Sequence, residues 1–492
     1  MDRRQLLQCM LAGTLGAVAG CSRKIDAATP ADLARLDCIA QSDLVVSGAL
    51  SAGELTAAAI DRINAVNPKL NAVIYQDPER AMARAATAKG PLAGVPYLIK
   101  DLNAYRDMPL TRGSKLFAEL VADSQTPFTD RIDDTGLVVI GKTNTPEFGL
   151  LPSTEPLLHG ATRNPWNLDH TPGGSSGGAA AAVAARLVPA AQASDGGGSI
   201  RIPASQCGLV GLKPSIGRFP DQGHGDQPWP ISVKHALTLS VRDSALLLAL
   251  TETTRNGQLL PVGFVEREKT QPLKIALSLT TIAGNADDDV VAAIQRTAEQ
   301  LDALGHTIVP VEETPLQDEG FSRDFLVLWA SGAYSAAEFV REKTGSPAEQ
   351  TGLLEPATTS LASLFSSMPA GALDAALQGI SAYQQRVFAF MDNYDAWLTP
   401  VTASAAPQIG FMAPDLDYDT LMERVTRFAA YTPTHNAAGT PAISVPAGLN
   451  AAGLPIGAQL SAPMGQEARL LQLAYQLEAA EPWADTLPPV HA

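Results

Sequence analysis

An α/β fold with a central, largely buried sheet is what this sequence predicts, and three observations carry the prediction. Short apolar runs of strand character alternate with helical stretches along the chain, the pattern of strands buried between helices. Hydrophobic residues make up 46% of the 492 and charged ones only 17%, against roughly 25% charged in an average soluble domain, so a large core can be buried. The 40 glycines and 36 prolines follow no three-residue period. They fit tight turns in a compact enzyme rather than collagen or a low-complexity linker. No internal repeat is visible, and single α/β domains reach this length.

The elements follow in order. From residue 31 to 67 the apolar spacing is helical, with Ser51 to Glu54 matching a capping box ahead of LTAAAIDRINAVNP. Strand-like runs fall at 92–99, 137–140, 273–279, 307–311, 397–401 and 442–445. Between them, DDDVVAAIQRTAEQLDALG at 287–305 starts acidic, lines Val290, Ile294, Ala298 and Leu301 along one face, and ends in Gly305. That is an amphipathic helix with its start and stop signals. Residues 315–391 read as helices with few strand signals, expected to cover the sheet and shape a substrate pocket.

The first segment reads as an address rather than as fold. Arg3 and Arg4 precede an apolar run from Leu6 to Ala19, and Val18-Ala19-Gly20-Cys21 closes it. The run is shorter than the roughly 20 residues of a spanning helix. It resembles a twin-arginine export signal ending in a lipobox, with cleavage before Cys21 and lipidation of its thiol. Residues 1–20 are then signal, 21–30 a tether, and 31–492 the folded domain. The plainer reading is an uncleaved amphiphilic leader with an incidental cysteine.

Charge sharpens this. With 35 Lys plus Arg against 51 Asp plus Glu, the formal charge is −16, which argues against a basic nucleic-acid-binding surface. Removing Asp2, Arg3 and Arg4 with the signal takes away one net positive charge and leaves −17. Such a body is repelled by anionic lipid, so membrane attachment must rest on Cys21. Of the other cysteines, Cys38 and Cys207 are expected as buried free thiols. Neither sits in a C-x-x-C or H-x-E pattern, so no metal site is expected.

Three stations carry candidate chemistry. GVPYLIKDL at 94–102 is an apolar run ending in Lys100. A lysine there ordinarily snorkels to water, but pointed inward it loses proton affinity by desolvation and becomes a base. Asp101 would oppose that shift, and strand alternation sends it to the other face. The second station, TPGGSSGGAAAAVAARL at 171–187, runs a Gly-rich loop with Ser175 and Ser176 into an Ala-rich helix. Alone it reads as a flexible, Ser-capped loop. It lacks the lysine of a phosphate loop, and its G-x-S-x-G pattern lacks the apolar strand that a nucleophile elbow requires. In the third, SDGGGSIRIPAS at 194–205, three glycines precede Ser199, so successive N–H groups can converge on an oxyanion. Alone, that is also an ordinary turn, with Asp195 and Arg201 placed to pair across it.

Together the three stations resemble the amidase signature family, over about residues 31–487. GKTNTPEFG at 141–149, GATRNPWNL at 160–168, CGLVGLKPS at 207–215 and NAAGTPAISVPAG at 436–448 support the resemblance. It implies a central mixed, twisted sheet with helices on both faces, and an amidase that needs no metal or organic cofactor. Carried over by position, Ser199 is the nucleophile, and Ser175, after a cis peptide at Gly174, bridges it to Lys100. Ser176 supports the loop. The N–H groups of Gly196, Gly197, Gly198 and Ser199 form the oxyanion hole, and Gly149 supplies a backbone contact to the acyl group. One departure is Gly196, where the family usually has a bulkier residue. The seven histidines have no role in this scheme and are expected as surface or satisfied core groups.

The expected partner is a small-molecule amide, linear or cyclic. GVPYLIKDL, GATRNPWNL and SIRIPAS look most like the hydrolases of 6-aminohexanoate cyclic dimers, with peptide amidases and aryl acylamidases as alternatives. Two other classes compete. A lipid-anchored solute-binding protein has a similar size and export route, and an α/β-hydrolase esterase would use Ser175 with a downstream histidine.

Overall fold

The computed structural model describes residues 30–219, 231–253, 259–267 and 271–492. The segment expected to be an export signal, Cys21 and nearly all of the expected tether therefore lie outside the described residues, as does His224. An eleven-stranded mixed sheet runs through the described part. Its strands are β1 (Val73–Gln76), β2 (Pro96–Lys100), β3 (Val138–Thr143), β4 (Ala190–Asp195), β5 (Val210–Lys213), β6 (Val233–Thr238), β7 (Lys274–Leu277), β10 (Thr307–Pro310), β11 (Ala396–Pro400), β12 (Ala442–Leu449) and β13 (Pro455–Ser461). A separate small hairpin contributes β8 (Thr280–Thr281) and β9 (Gly284–Asn285). The order across the sheet is β1-β3-β2-β4-β6-β5-β12-β13-β11-β7-β10. β3, β2 and β4 are mutually parallel, as are β11, β7 and β10, whereas the strands between them pair antiparallel.

All six strand-like runs of the sequence became strands. β1, β4, β5, β6 and β13 were not foreseen, because each is short or poor in β-branched residues: β4 reads AAQASD. Residues in such stretches are placed by their neighbours rather than by propensity. The helix ends were legible. The helix Ala52–Leu70 carries the expected capping box of Ser51 and Glu54, and the helix Asp288–Ala303 buries Val290, Ile294, Ala298 and Leu301.

Side-chain alternation on β2 decides where the chemistry sits. Tyr97 and Ile99 face one core, with Val241, Ala245 and Leu248. Leu98 faces the other, against Ala179, Ala180 and Val183 of the helix Gly177–Ala184. Lys100 has the parity of Leu98 and so points toward the start of that same helix. Every residue of this helix is buried, so the expected Ala-rich helix is a thin one pressed on the sheet. A Cβ at Gly178 would come within 2.4 Å of the Asn144 backbone nitrogen, which is why a glycine stands there. Residues 315–391 are largely helical, in the helices Glu319–Thr344, Pro356–Ser366 and Ala372–Met391.

Candidate active site

Lys100 and Asp195 end two neighbouring parallel strands, and the two glycine-rich turns meet between them. Lys100 is fully buried. Its Nζ lies 2.7 Å from Ser175 Oγ, 2.9 Å from Ser176 Oγ and 3.1 Å from Ser194 Oγ. Among the described residues no carboxylate bonds to it. Desolvation pulls its pKa down to about 7, against a weaker opposing pull from the Asp195 charge. Asp101 does turn away, as alternation required: it pairs with Lys142 at 3.3 Å and accepts from Thr111 N–H at 3.0 Å. The carboxylate that does act on Lys100 is therefore Asp195, which the sequence reading had assigned only to the loop.

The Gly174–Ser175 peptide is cis. Ser176 is the N-cap residue of the Gly177–Ala184 helix, yet its hydroxyl makes no cap bond. Instead it accepts from Lys100 and donates to Ser194 carbonyl oxygen at 3.2 Å, joining the loop to β4. This is the supporting role expected of it. The segment before Ser175 is a loop rather than a strand, so the strand that the esterase alternative requires is missing there.

The second turn is held from below. Asp195 and Arg201 form a buried bidentate pair, Nε to Oδ2 and Nη2 to Oδ1, each 2.9 Å. Arg201 also donates to Asn436 Oδ1 at 2.6 Å, Gln459 Oε1 at 2.8 Å and Thr432 carbonyl oxygen at 2.9 Å. Although burial alone would raise it, the adjacent guanidinium, Lys213 and the Asn436 amide hold the Asp195 carboxyl far below the usual carboxylate range. The NAAGTPAISVP motif thus reaches the site through Asn436, whose amide donates to Asp195 Oδ1 at 2.9 Å. Thr432 Oγ1 donates to Gly197 carbonyl oxygen at 2.6 Å.

This geometry corrects one expectation. Gly198 N–H donates to Asp195 Oδ1 at 2.7 Å, so it is spent inside the turn and is no oxyanion donor. Ile200 N–H is spent likewise, at 3.2 Å from Asp195 Oδ2. The N–H groups of Gly196, Gly197 and Ser199 have no such partner among the described residues. A Cβ at Gly196 would meet nothing within 4 Å, whereas one at Gly197 would lie 3.6 Å from the Phe325 ring of the cover. Ser199 is half-buried, and its hydroxyl makes no hydrogen bond among the described residues. Gly149 packs on Ser175, since a Cβ there would come 3.0 Å from Ser175 Oγ. Its own N–H donates to Pro146 carbonyl oxygen at 2.9 Å, which leaves the carbonyl as its free backbone group.

Sequence reasoning missed Ser194, Thr432, Asn436 and Gln459. The last three lie 231 to 258 residues from Arg201 in the chain, so no local pattern links them to it. Among the histidines, the fully buried His435 is not satisfied: Nδ1 meets Thr440 Oγ1 at 3.1 Å, and Nε2 has no partner. Cys38 and Cys207 are free and buried, as expected. Among the described residues no group of three or more His, Cys, Asp and Glu side chains is placed to hold a metal ion.

Comparison with known proteins adds independent evidence. A family described as Amidase matches residues 54–471. The putative amidase AmiC of Mycobacterium tuberculosis (strain ATCC 25618 / H37Rv) is 39% identical over 457 residues, covering 92% of this chain and 96% of that protein. The 6-aminohexanoate-cyclic-dimer hydrolase of Pseudomonas sp. (strain NK87) is 36% identical over 474 residues, with 92% and 96% covered. A solved structure of 6-aminohexanoate cyclic dimer hydrolase complexed with substrate superposes with a TM-score of 0.87 at 34% identity, covering 93% of this chain and 100% of that one.

Proposed function

The chain belongs to the amidase family, and from that premise we propose that it hydrolyses a carboxylic amide by acyl transfer to Ser199, with Ser175 and Lys100 relaying the proton. The observation that carries this reading is the 2.7 Å approach of Lys100 Nζ to Ser175 Oγ, where no carboxylate among the described residues bonds to the amine. A neutral amine has two N–H groups and one lone pair. Ser176 and Ser194 accept the two N–H groups, and the lone pair is left for the nearest hydroxyl, Ser175. Ser175 then takes the proton of Ser199 as it gives its own to Lys100, and the alkoxide adds to the carbonyl carbon.

The negative oxygen of the tetrahedral adduct is received by the N–H groups of Gly196, Gly197 and Ser199. Each well-placed donor is worth about 2.7 to 4 kcal/mol. Return of the proton along the relay releases the amine, and water cleaves the ester by the same route. Asp195 and Arg201 do not react. They hold the turn that carries the donors.

For substrate, we favour an amide of the 6-aminohexanoate cyclic dimer kind, supported by the similarity to those hydrolases and by the apolar Phe325 ring facing the turn. Hydrolysis of linear, cyclic, aryl and C-terminal amides, with the Ser199→Ala protein as blank, tests reaction and substrate together. Turnover surviving in that variant would end the proposed relay. Fluorophosphonate labelling located by mass spectrometry should mark Ser199, and a label on Ser175 would reassign the nucleophile.

Export and anchoring at Cys21 belong to this proposal too, with residues 31–492 as one catalytic domain whose 315–391 segment forms the substrate cover. They rest on the Arg3-Arg4 start and the Val18 to Cys21 ending. Mass spectrometry of the native protein should find a diacylated Cys21 at the mature N-terminus, and an intact Met1 would refute it.

A further inference from the structure

Residues 147–149 are tied to three separate parts of the protein, and the acyl transfer described above uses only the last of them. Glu147 is 2% exposed. One carboxylate oxygen accepts from Ser114 Oγ at 2.6 Å. The other accepts from the Glu355 backbone N–H at 2.9 Å and from Thr358 Oγ1 at 2.5 Å. Glu355 is the N-cap residue of the helix Pro356–Ser366, which has no side-chain cap of its own. A carboxylate 208 residues earlier in the chain therefore caps a cover helix, where unpaired N–H groups favour an anion.

The next residue, Phe148, has φ +52, a left-handed conformation that a bulky side chain rarely adopts. It is held there by its N–H bond to Arg112 carbonyl oxygen at 2.8 Å. Its ring meets Phe117 edge-on at 6.2 Å, and Phe117 stacks on Phe339 of the long cover helix at 5.8 Å. Gly149, also left-handed at φ +71, lies against Ser175 Oγ. The cover and the relay are thus joined through three consecutive residues.

We propose that Glu147 is a positioning residue with two sides: its bonds to Glu355 and Thr358 dock the substrate cover, and the turn it begins holds Ser175 in register with Lys100. This rests on the reading of Lys100, Ser175 and Ser199 as the relay. Glutamine at 147 keeps the shape and removes the charge: with its Oε1 kept for the Glu355 N–H and Thr358, its amide N–H falls on Ser114 Oγ, whose hydroxyl must turn to the Leu353 carbonyl oxygen at 3.4 Å, so charge-assisted bonds give way to weaker neutral ones. Valine at 358 keeps the shape and removes a bond on the cover side alone.

The two variants separate the two sides. Fluorophosphonate labelling of Ser199 reports the relay without needing the cover, and the ratio of KM values for an octanoyl and an acetyl anilide reports the cover. Glu147→Gln is expected to slow labelling at least tenfold and to raise the KM ratio at least fivefold. Thr358→Val is expected to raise the ratio at least threefold and to label within twofold of the parent rate. Parent values for both quantities in Glu147→Gln, or labelling lost equally in Thr358→Val, would overturn the proposal. If Glu147→Gln fails to fold by circular dichroism, the Thr358→Val ratio decides alone, and an unchanged ratio overturns it. Ser199→Ala keeps the tests apart: labelling that persists there condemns the relay, not the positioning of the cover.

Discussion

Lys100 and Asp195 end adjacent parallel strands, both fully buried, and the protein treats their charges in opposite ways. Asp195 is given a bidentate guanidinium, an amide and three backbone N–H groups, and it stays ionised. Lys100 is given three hydroxyls, and its ammonium is pulled down to about 7. The nearby Lys142 is intermediate: burial lowers its pKa too, but Asp101 at 3.3 Å opposes that shift. Burial penalises a charge, and only a paired, fully bonded one recovers the cost. The difference teaches that the proposed relay cation is left without a bonded counter-charge where proton affinity must be surrendered, whereas Asp195 and Arg201, which hold the turn, are paired with each other.

The largest expected effect breaks the comparison at Lys100. Replacing Lys100 with Met removes the base and should lower kcat/KM about ten-thousandfold in steady-state assays. Lys100→Arg should be no better, since a guanidinium does not deprotonate. A variant retaining a tenth of the activity would show that the base lies elsewhere.

Breaking the other side should cost stability first. Asp195→Asn leaves Arg201 buried without its counter-charge, and the unfolding midpoint in urea should fall by the equivalent of about 3 to 5 kcal/mol. An unchanged midpoint would mean the pair is not what holds the turn.

pH sharpens the contrast next. The relay needs neutral Lys100, so kcat/KM should rise about tenfold per unit up to pH 7 and then level off, and a profile already flat from pH 5 would count against it. Linkage gives a second sign. Between about 7 and 10.5 the unfolded chain holds a proton on Lys100 that the folded one has shed. Its contribution to stability therefore rises with pH across that window and is constant below it. Unfolding free energies of the parent minus Lys100→Met should show that slope, and a flat difference would place the ammonium in the folded state. The smallest effect is expected at Gly196, where a methyl meets open space: Gly196→Ala should change kcat for a small amide by less than about twofold.

Legibility followed the range of the interactions. The capping box at Ser51, the helix at 288–303 and the apolar strands were readable because each is set by residues within a few positions of one another. β4 was not, since AAQASD becomes a strand only because β2 and β6 flank it. Within the site, Lys100, Ser175, Ser176 and Ser199 were singled out only because three motifs, each ordinary alone, together resemble one family, and Asp195 with Arg201 because they flank one turn. Gly198 was misread because a run of glycines shows that N–H groups can converge but not which of them a carboxylate already holds.

By itself the sequence determined the fold class, the family resemblance, and the residue types that can exchange a proton with a serine. Only the tertiary structure decided that Lys100 stands among hydroxyls and away from Asp101, that Asn436 and Thr432 brace the turn, and that Glu147 caps a helix of the cover. The physical reason is that proton affinity and hydrogen-bond satisfaction depend on everything within a few ångströms, and in a buried site most of that comes from distant parts of the chain.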